Sequence, residues 1–309
     1  MTAPAFGLVL PSSTGTGVPD PESIWKLAAA VESSSLDRLW VSDHLLWWLP
    51  MHESLSLLAG LAARTTRVSI GPAVLLLAMR DPIITAKALA TIDLLSEGRL
   101  VVGVGIGGEF PPEWEAVGVD RRTRVSRTEE MIEALKGLWG PGPFGYRGRR
   151  ITFEPVDLYP KPARPPPIWI GGRVEASVER AARLADGWMG IFLTPERYAS
   201  RIDLLKKTAA ARGRDPDTIK PSLYVWTCIA ERGDDAREVA STLLPAFYNV
   251  PYSRLEKYAV VGDPAECSAR LRAYVQAGCR DFAVAPIPHG EPEDFVRMIS
   301  EEILPTISL

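Results

Sequence analysis

Eight short apolar runs alternate with helical stretches from one end of this chain to the other. They are Phe6–Leu10, Arg38–Val41, Val68–Leu76, Arg99–Val104, Pro167–Ile170, Gly187–Ile191, Leu223–Ile229 and Arg280–Ala285. Each is apolar on consecutive rather than alternate positions, as strands are when both faces of a sheet are covered. The intervening segments carry helix signals, among them Asp20-Pro21-Glu22, Asp81-Pro82 with Gly98, and Asp263-Pro264 with Glu266 and Gly278. Acid caps, proline at the first helical position and glycine past the last turn punctuate helices in this way. Strand–helix alternation means βαβ units and a mostly parallel sheet. Eight such units predict an α/β fold of the closed (β/α)8 TIM barrel type, and 309 residues suit a barrel of ~250 plus insertions.

Two stretches break the rhythm. Gly140–Pro167 is rich in proline and glycine and lacks helical periodicity, so it reads as an insertion, a hairpin or a lid, at the C-terminal face. Pro245–Val261 is irregular as well. Alternation resumes beyond each, which predicts one domain over residues 1–309.

Composition excludes several function classes. With 35 basic and 38 acidic residues the net charge is −3, without the basic stripe that displaces counterions from nucleic acid. Cys228, Cys267 and Cys279 are too few and too scattered for a disulfide framework or a zinc site. No apolar run reaches the ~18 residues of a membrane span, and the first residues lack a basic leader region. The expectation is a cytoplasmic protein acting on a small molecule, with no metal, nucleic acid or membrane partner.

In a barrel of this kind the chemistry sits where strands end and loops begin. His44 directly follows the second run, in Val41-Ser42-Asp43-His44, and Trp47-Trp48 come soon after. Histidine is the side chain best suited to moving protons near neutral pH, and Asp43 beside it could orient it or serve a ligand. The fourth run ends in Gly103-Val104-Gly105-Ile106-Gly107-Gly108-Glu109. Taken literally this is G-x-G-x-x-G, but Phe110-Pro111-Pro112 follow where a dinucleotide fold needs a helix. The missing side chains imply instead a backbone that lies close to something flat or anionic. The fifth run ends in Gly171-Gly172-Arg173 before a helix, where free N–H groups, the helix dipole and Arg173 would bind phosphate. No nucleophile elbow, P-loop or metal-ligand helix is present.

With Phe6–Pro11, Val41–His44, Gly71–Leu75 with Asp81-Pro82, Gly103–Glu109, Ile168–Arg173, Asp186–Trp188 and Val261–Pro264 in this order, the chain resembles the bacterial-luciferase-like superfamily. The Ser-Asp-His ending, with Trp48 four residues on, resembles the branch that uses the deazaflavin coenzyme F420. The resemblance implies a cofactor across the C-terminal mouth and hydride transfer to or from a substrate carbon. It places Asp43 on the deazaflavin, His44 and Trp48 at the reacting end, and a non-prolyl cis peptide at Ala73–Val74. Gly107 and Gly108 would lie beside the ring, with Glu109 as the loop acid that donates a proton in some relatives. Gly171, Gly172 and Arg173 would hold the phosphate end, and a homodimer is implied. An FMN monooxygenase on the same barrel, a non-catalytic flavin or deazaflavin carrier and a nicotinamide dehydrogenase remain as alternatives.

Overall fold

The computed structural model describes residues 3–14 and 17–307; residues 15 and 16 of the Ser/Thr/Gly loop after Pro11 lie outside the described residues. The strands are β1 (Ala5–Val9), β2 (Arg38–Val41), β3 (Ser69–Pro72), β4 (Leu75–Leu76) and β5 (Val102–Gly105). After them come β6 (Phe144–Arg147), β7 (Thr152–Val156), β8 (Ile168–Gly171), β9 (Gly187–Ile191), β10 (Lys220–Ile229), β11 (Val260–Gly262) and β12 (Asp281–Pro286). Eight of them pair in parallel in the order β3-β2-β1-β12-β10-β9-β8-β5. The ring closes between β3 and β5, where Ile70 donates to the Arg99 carbonyl at 3.1 Å and accepts from Val101 at 2.9 Å. The α/β barrel expected from the alternation is therefore the fold.

The helices are α1 (Pro21–Ser33), α2 (Ser54–Arg64), α3 (Pro82–Leu95), α4 (Pro111–Ala116), α5 (Arg124–Trp139), α6 (Glu175–Leu184), α7 (Pro195–Ala210), α8 (Gly233–Tyr248) and α9 (Pro264–Gln276), followed by short helical segments from Pro292. Their caps work as the sequence signals. Asp20 accepts from the Ser23 N–H at 3.0 Å, Asp81 from Ile83 and Ile84 at 2.9 Å, and Asp263 and Glu266 form a reciprocal capping box. Each such cap satisfies first-turn donors and contributes about 1 kcal/mol.

Two local readings change. The run Val68–Leu76 is two strands, divided by a cis peptide between Ala73 and Val74. The irregular stretch expected from Pro245 begins later: α8 continues through Pro245 to Tyr248 and stops at Asn249, whose φ is +51°. Proline removes one backbone bond there, and the Tyr248 ring compensates by meeting Phe192 and Trp226 edge-on.

The Gly140–Pro167 insertion is a hairpin, β6 against β7, laid along α5. Phe144 covers Gly137 near the end of that helix, while the N–H groups of Arg149, Arg150 and Ile151 donate to Glu130. Arg127 ties the turn to the strand-end loops, donating to the carbonyls of Arg150 and Ala78. The turn thus reaches the level of the C-terminal face while the body of the hairpin braces the helix.

Most apolar burial occurs in two shells. The larger lies between strands and helices, with Leu8, Leu39, Ile70, Val102, Ile168 and Phe282 among its members. The smaller fills the barrel itself, from Val9, Trp40, Val101, Trp169, Met189 and Ala283. At the N-terminal end of the barrel Arg38 pairs with the fully buried Asp281 at 2.9 Å, its guanidinium over the Trp169 ring. Burial outweighs that pairing and raises the Asp281 carboxyl to about 6, since its second oxygen has no partner among the described residues.

Candidate active site

The loop after β2 carries Asp43 and His44 side by side, and their side chains have different surroundings. Asp43 is buried and accepts from Ser54 Oγ at 2.7 Å, Arg80 Nη2 at 2.7 Å and the Leu76 N–H at 2.8 Å. It anchors the loop to the start of α2 and to β4. His44 is partly exposed. Its Nδ1 lies 3.2–3.3 Å from both carboxylate oxygens of Glu113, and its ring stacks on Trp47 with centroids 3.8 Å apart. Glu113 is fully buried, so it fixes the imidazole edge that faces it. Among the described residues Nε2 has no partner.

Glu113 is the candidate residue that the sequence reading missed. The signal was available in Phe110-Pro111-Pro112-Glu113, two prolines at the start of a short helix that puts an acid in its first turn. Those prolines had served only to reject a dinucleotide fold. Glu109, the acid singled out, is exposed, and its charge helps keep the Tyr248 phenol protonated. Trp48 is 45% exposed. It meets Trp47 edge-on at 4.3 Å and Phe110 at 5.1 Å, completing an aromatic wall beside His44.

The glycine run has a different cause from the one expected. A Cβ on Gly103 would collide with the Pro72 carbonyl, and one on Gly105 with Val74 Cγ2. These two glycines admit the β3 backbone and the Val74 side chain. A Cβ on Gly171 would also touch Val74, at 3.0 Å. Gly107 and Gly108 are required by conformation, with φ of +53° and +112°. Arg121 holds that turn through the Gly108 carbonyl at 2.9 Å.

At the end of β8, Gly172 is not a free donor. Its N–H is taken by the Met189 carbonyl at 3.0 Å, and its own carbonyl accepts from Trp188 Nε1 at 3.1 Å. The donors available to an anion are the first-turn N–H groups of α6, which no side chain caps. They open on a cavity of about 620 Å³ whose lining includes Arg173, Arg197, Arg201, Phe192 and Tyr258. Arg201 is paired with Glu175 at 2.8 Å. Arg173 and Arg197 have no carboxylate partner among the described residues, and Arg173 sits over Phe192.

The wall opposite His44 comes from β10 and α8. Trp226 Nε1 donates to the Tyr248 hydroxyl at 2.9 Å, and the Tyr224 hydroxyl meets Ser42. Burial pushes both phenols well above their ordinary range, so both remain protonated donors. Tyr248 in turn senses Glu109 and Arg173. Segments after β2, β5 and β8 therefore converge on one rim, the C-terminal one. His52 lies apart from them, bonded to the Pro19 carbonyl at 2.8 Å.

Comparison with known proteins gives the family and the fold. The profile of luciferase-like monooxygenases matches residues 5–254. An F420-dependent glucose-6-phosphate dehydrogenase of Amycolatopsis mediterranei is 26% identical over 93% of this chain and 95% of its own length. A phthiodiolone/phenolphthiodiolone dimycocerosates ketoreductase of a Mycobacterium species is 32% identical over 70% of this chain and 63% of its own. Among solved structures, an F420-dependent secondary alcohol dehydrogenase in complex with an F420–acetone adduct superposes with a TM-score of 0.87 over both full chains at 20% identity.

Proposed function

Since the chain belongs to the luciferase-like monooxygenase family, we propose that it is an oxidoreductase transferring a hydride between coenzyme F420 and a small organic substrate, with His44 as acid–base. The observation that carries this reading is the buried Glu113 beneath a histidine whose second nitrogen has no protein partner at the mouth of the barrel. The names of the F420-dependent relatives support the choice of cofactor.

The residues present fit such a group. Val74, Gly107 and Gly108 would back the ring, with Ala73 bringing Val74 into place through the cis bond. Arg173 and the start of α6, reached through Gly171 and Gly172, would receive the phosphate. Asp43, already holding three donors, would contribute through its remaining acceptor position and by keeping the loop in register. When bound, the deazaflavin supplies a ring carbon that gives or accepts a hydride and reacts poorly with dioxygen.

His44 does the proton work. With Nδ1–H donated to Glu113, Nε2 is left to protonate a substrate oxygen in reduction or to take the hydroxyl proton in oxidation. A buried carboxylate stabilises the imidazolium formed in the second direction and holds the ring against rotation. Trp47, stacked on the imidazole, limits it further and sheds water from the reacting face. Glu109 would donate a proton from another side of the mouth, and Trp48 would border the substrate. Outward-facing Ile84 and Leu95, three turns apart on α3 and 71% and 50% exposed, support a homodimer. Among the described residues no helix is long and apolar enough to cross a membrane.

Titration of the purified protein with F420 and, separately, with FMN tests the reading through quenching of cofactor fluorescence. Saturable F420 binding with weak or no FMN binding is expected. Tight FMN binding without F420 binding would replace it with oxygen-activating flavin chemistry.

A further inference from the structure

The chain sets 35 basic residues against 38 acidic ones, but one side of the rim is strongly unbalanced. Arg149 and Arg150 stand exposed at the tip of the β6–β7 hairpin, and Arg121 and Arg122 stand exposed in the turn before α5. Arg124 and Arg127 follow on the first turn of that helix. Backbone contacts make these groups one surface. Arg127 donates to the Arg150 carbonyl at 3.2 Å and to the Ala78 carbonyl at 2.7 Å, which pins the hairpin tip to the strand-end loops. Arg124 donates to the Arg121 carbonyl at 3.1 Å, and Arg121 to the Gly108 carbonyl at 2.9 Å. Arg122 and, more weakly, Arg150 hold the Asp120 carboxyl below its ordinary value.

The acids of this region do not neutralise it. Arg122 pairs with Asp120 at 3.0 Å. Among the described residues Arg121, Arg124, Arg127, Arg149 and Arg150 have no carboxylate at ion-pair distance. Glu130 is occupied by the N–H groups of the hairpin tip, and Glu129 and Glu154 pair with other arginines. Glu109 and Glu115, the unpaired acids between β5 and α5, leave the arginines in excess. At its inner end the arc reaches the mouth: Arg124 Nε is buried without a partner and lies against Gly108. Glu109, beside that glycine, and Arg173, at the start of α6, both act on Tyr248. Arg173 and Arg197 then line the cavity that would take phosphate. Positive charge therefore leads from the hairpin tip to that cavity.

Exposed arginines without partners add little to folding. A surface of one sign bordering a cleft instead raises the rate at which an oppositely charged ligand arrives. Resting on the F420 reading above, we infer that this arc guides a phosphate-bearing polyanion, the cofactor, into the mouth, and that the Gly140–Pro167 insertion carries its outer end. Arg149 and Arg150 lie outside the phosphate cavity, so they act on arrival and not on the bound complex.

Stopped-flow quenching of F420 fluorescence tests this at ionic strengths that shorten the screening length from about 20 to about 4 Å. Wild-type kon is expected to fall about tenfold across that range. The dephosphorylated deazaflavin, which lacks the charges of the phosphate end, should show a much smaller fall. Arg149→Gln combined with Arg150→Gln should lower kon for F420 about threefold at the lowest salt and match wild type at the highest, with koff unchanged. Lys206→Gln combined with Arg212→Gln removes the same charge near the far end of α7 and should leave kon as it is. A kon independent of salt, a hairpin variant equal to wild type at low salt, or equal losses in both variants overturns the guiding arc. If F420 does not bind at all, the cofactor reading fails, and FMN against riboflavin puts the arc to the same comparison.

Discussion

The barrel holds two pairings of a basic side chain with a carboxylate, of nearly the same construction, at opposite ends. At the N-terminal end Arg38, 16% exposed, reaches the fully buried Asp281; at the C-terminal end His44, 18% exposed, reaches the fully buried Glu113. Each basic side chain also lies against a tryptophan, Trp169 in one case and Trp47 in the other. What separates them is the proton. A guanidinium never gives one up near neutral pH, so the lower pair can only plug the barrel. An imidazole can, so the upper pair can do chemistry. Burial and pairing alone do not distinguish a structural site from a functional one; the acidity of the cation does.

Five substitutions test that contrast, and the largest effect is on stability. Arg38→Met strands Asp281 in the barrel without a partner and should cost about 3 kcal/mol in denaturant unfolding, while kcat changes little. The wild-type pair should also leave a pH signature. The fold raises the Asp281 carboxyl from 3.8 to about 6, so the folded state binds this proton more tightly than the unfolded chain. Its contribution is present in full below 3.8 and is lost as pH rises through about 6. Urea midpoints measured from pH 4.5 to 7.5 should fall across that window from this group, and Asp281→Asn should lack that component. A midpoint that rises through the window in wild type and variant alike would mean that Arg38 governs the pair.

At the other end the pattern should invert. His44→Ala is expected to lower kcat by ~10²-fold or more with unfolding midpoint and F420 affinity little changed; near-normal turnover would take His44 out of the mechanism. Glu113→Gln should do less, roughly a tenfold loss in kcat, because the amide still bonds Nδ1 but no longer carries charge. KM should move little, and Glu113→Asp should recover part of the rate. A Glu113→Gln enzyme with unchanged kcat and a reduced melting temperature would make Glu113 the counterpart of Asp281 after all.

Much of this was legible in the linear chain. Continuous apolar runs and proline or glycine punctuation sufficed for the barrel, because covered parallel strands and capped helices leave local signatures. His44 was legible because it directly follows a strand. That Glu113 is its partner was not, since the pair spans 69 residues and no short motif links them. The glycines of β5 illustrate the converse. Their presence was plain, but their cause lay in Val74, brought against them by the neighbouring strand.

By itself, then, the sequence determined the order of elements, where each helix starts, and which residues stand at strand ends, all consequences of backbone preference and solvent exclusion acting over a few positions. Which acid meets His44, which oxygens of Asp43 are already taken, and which arginines keep an unshared charge were decided only by the closed ring. Those are distances between groups far apart in the chain, and in a barrel such distances are set by strand register and packing rather than by any neighbour in sequence.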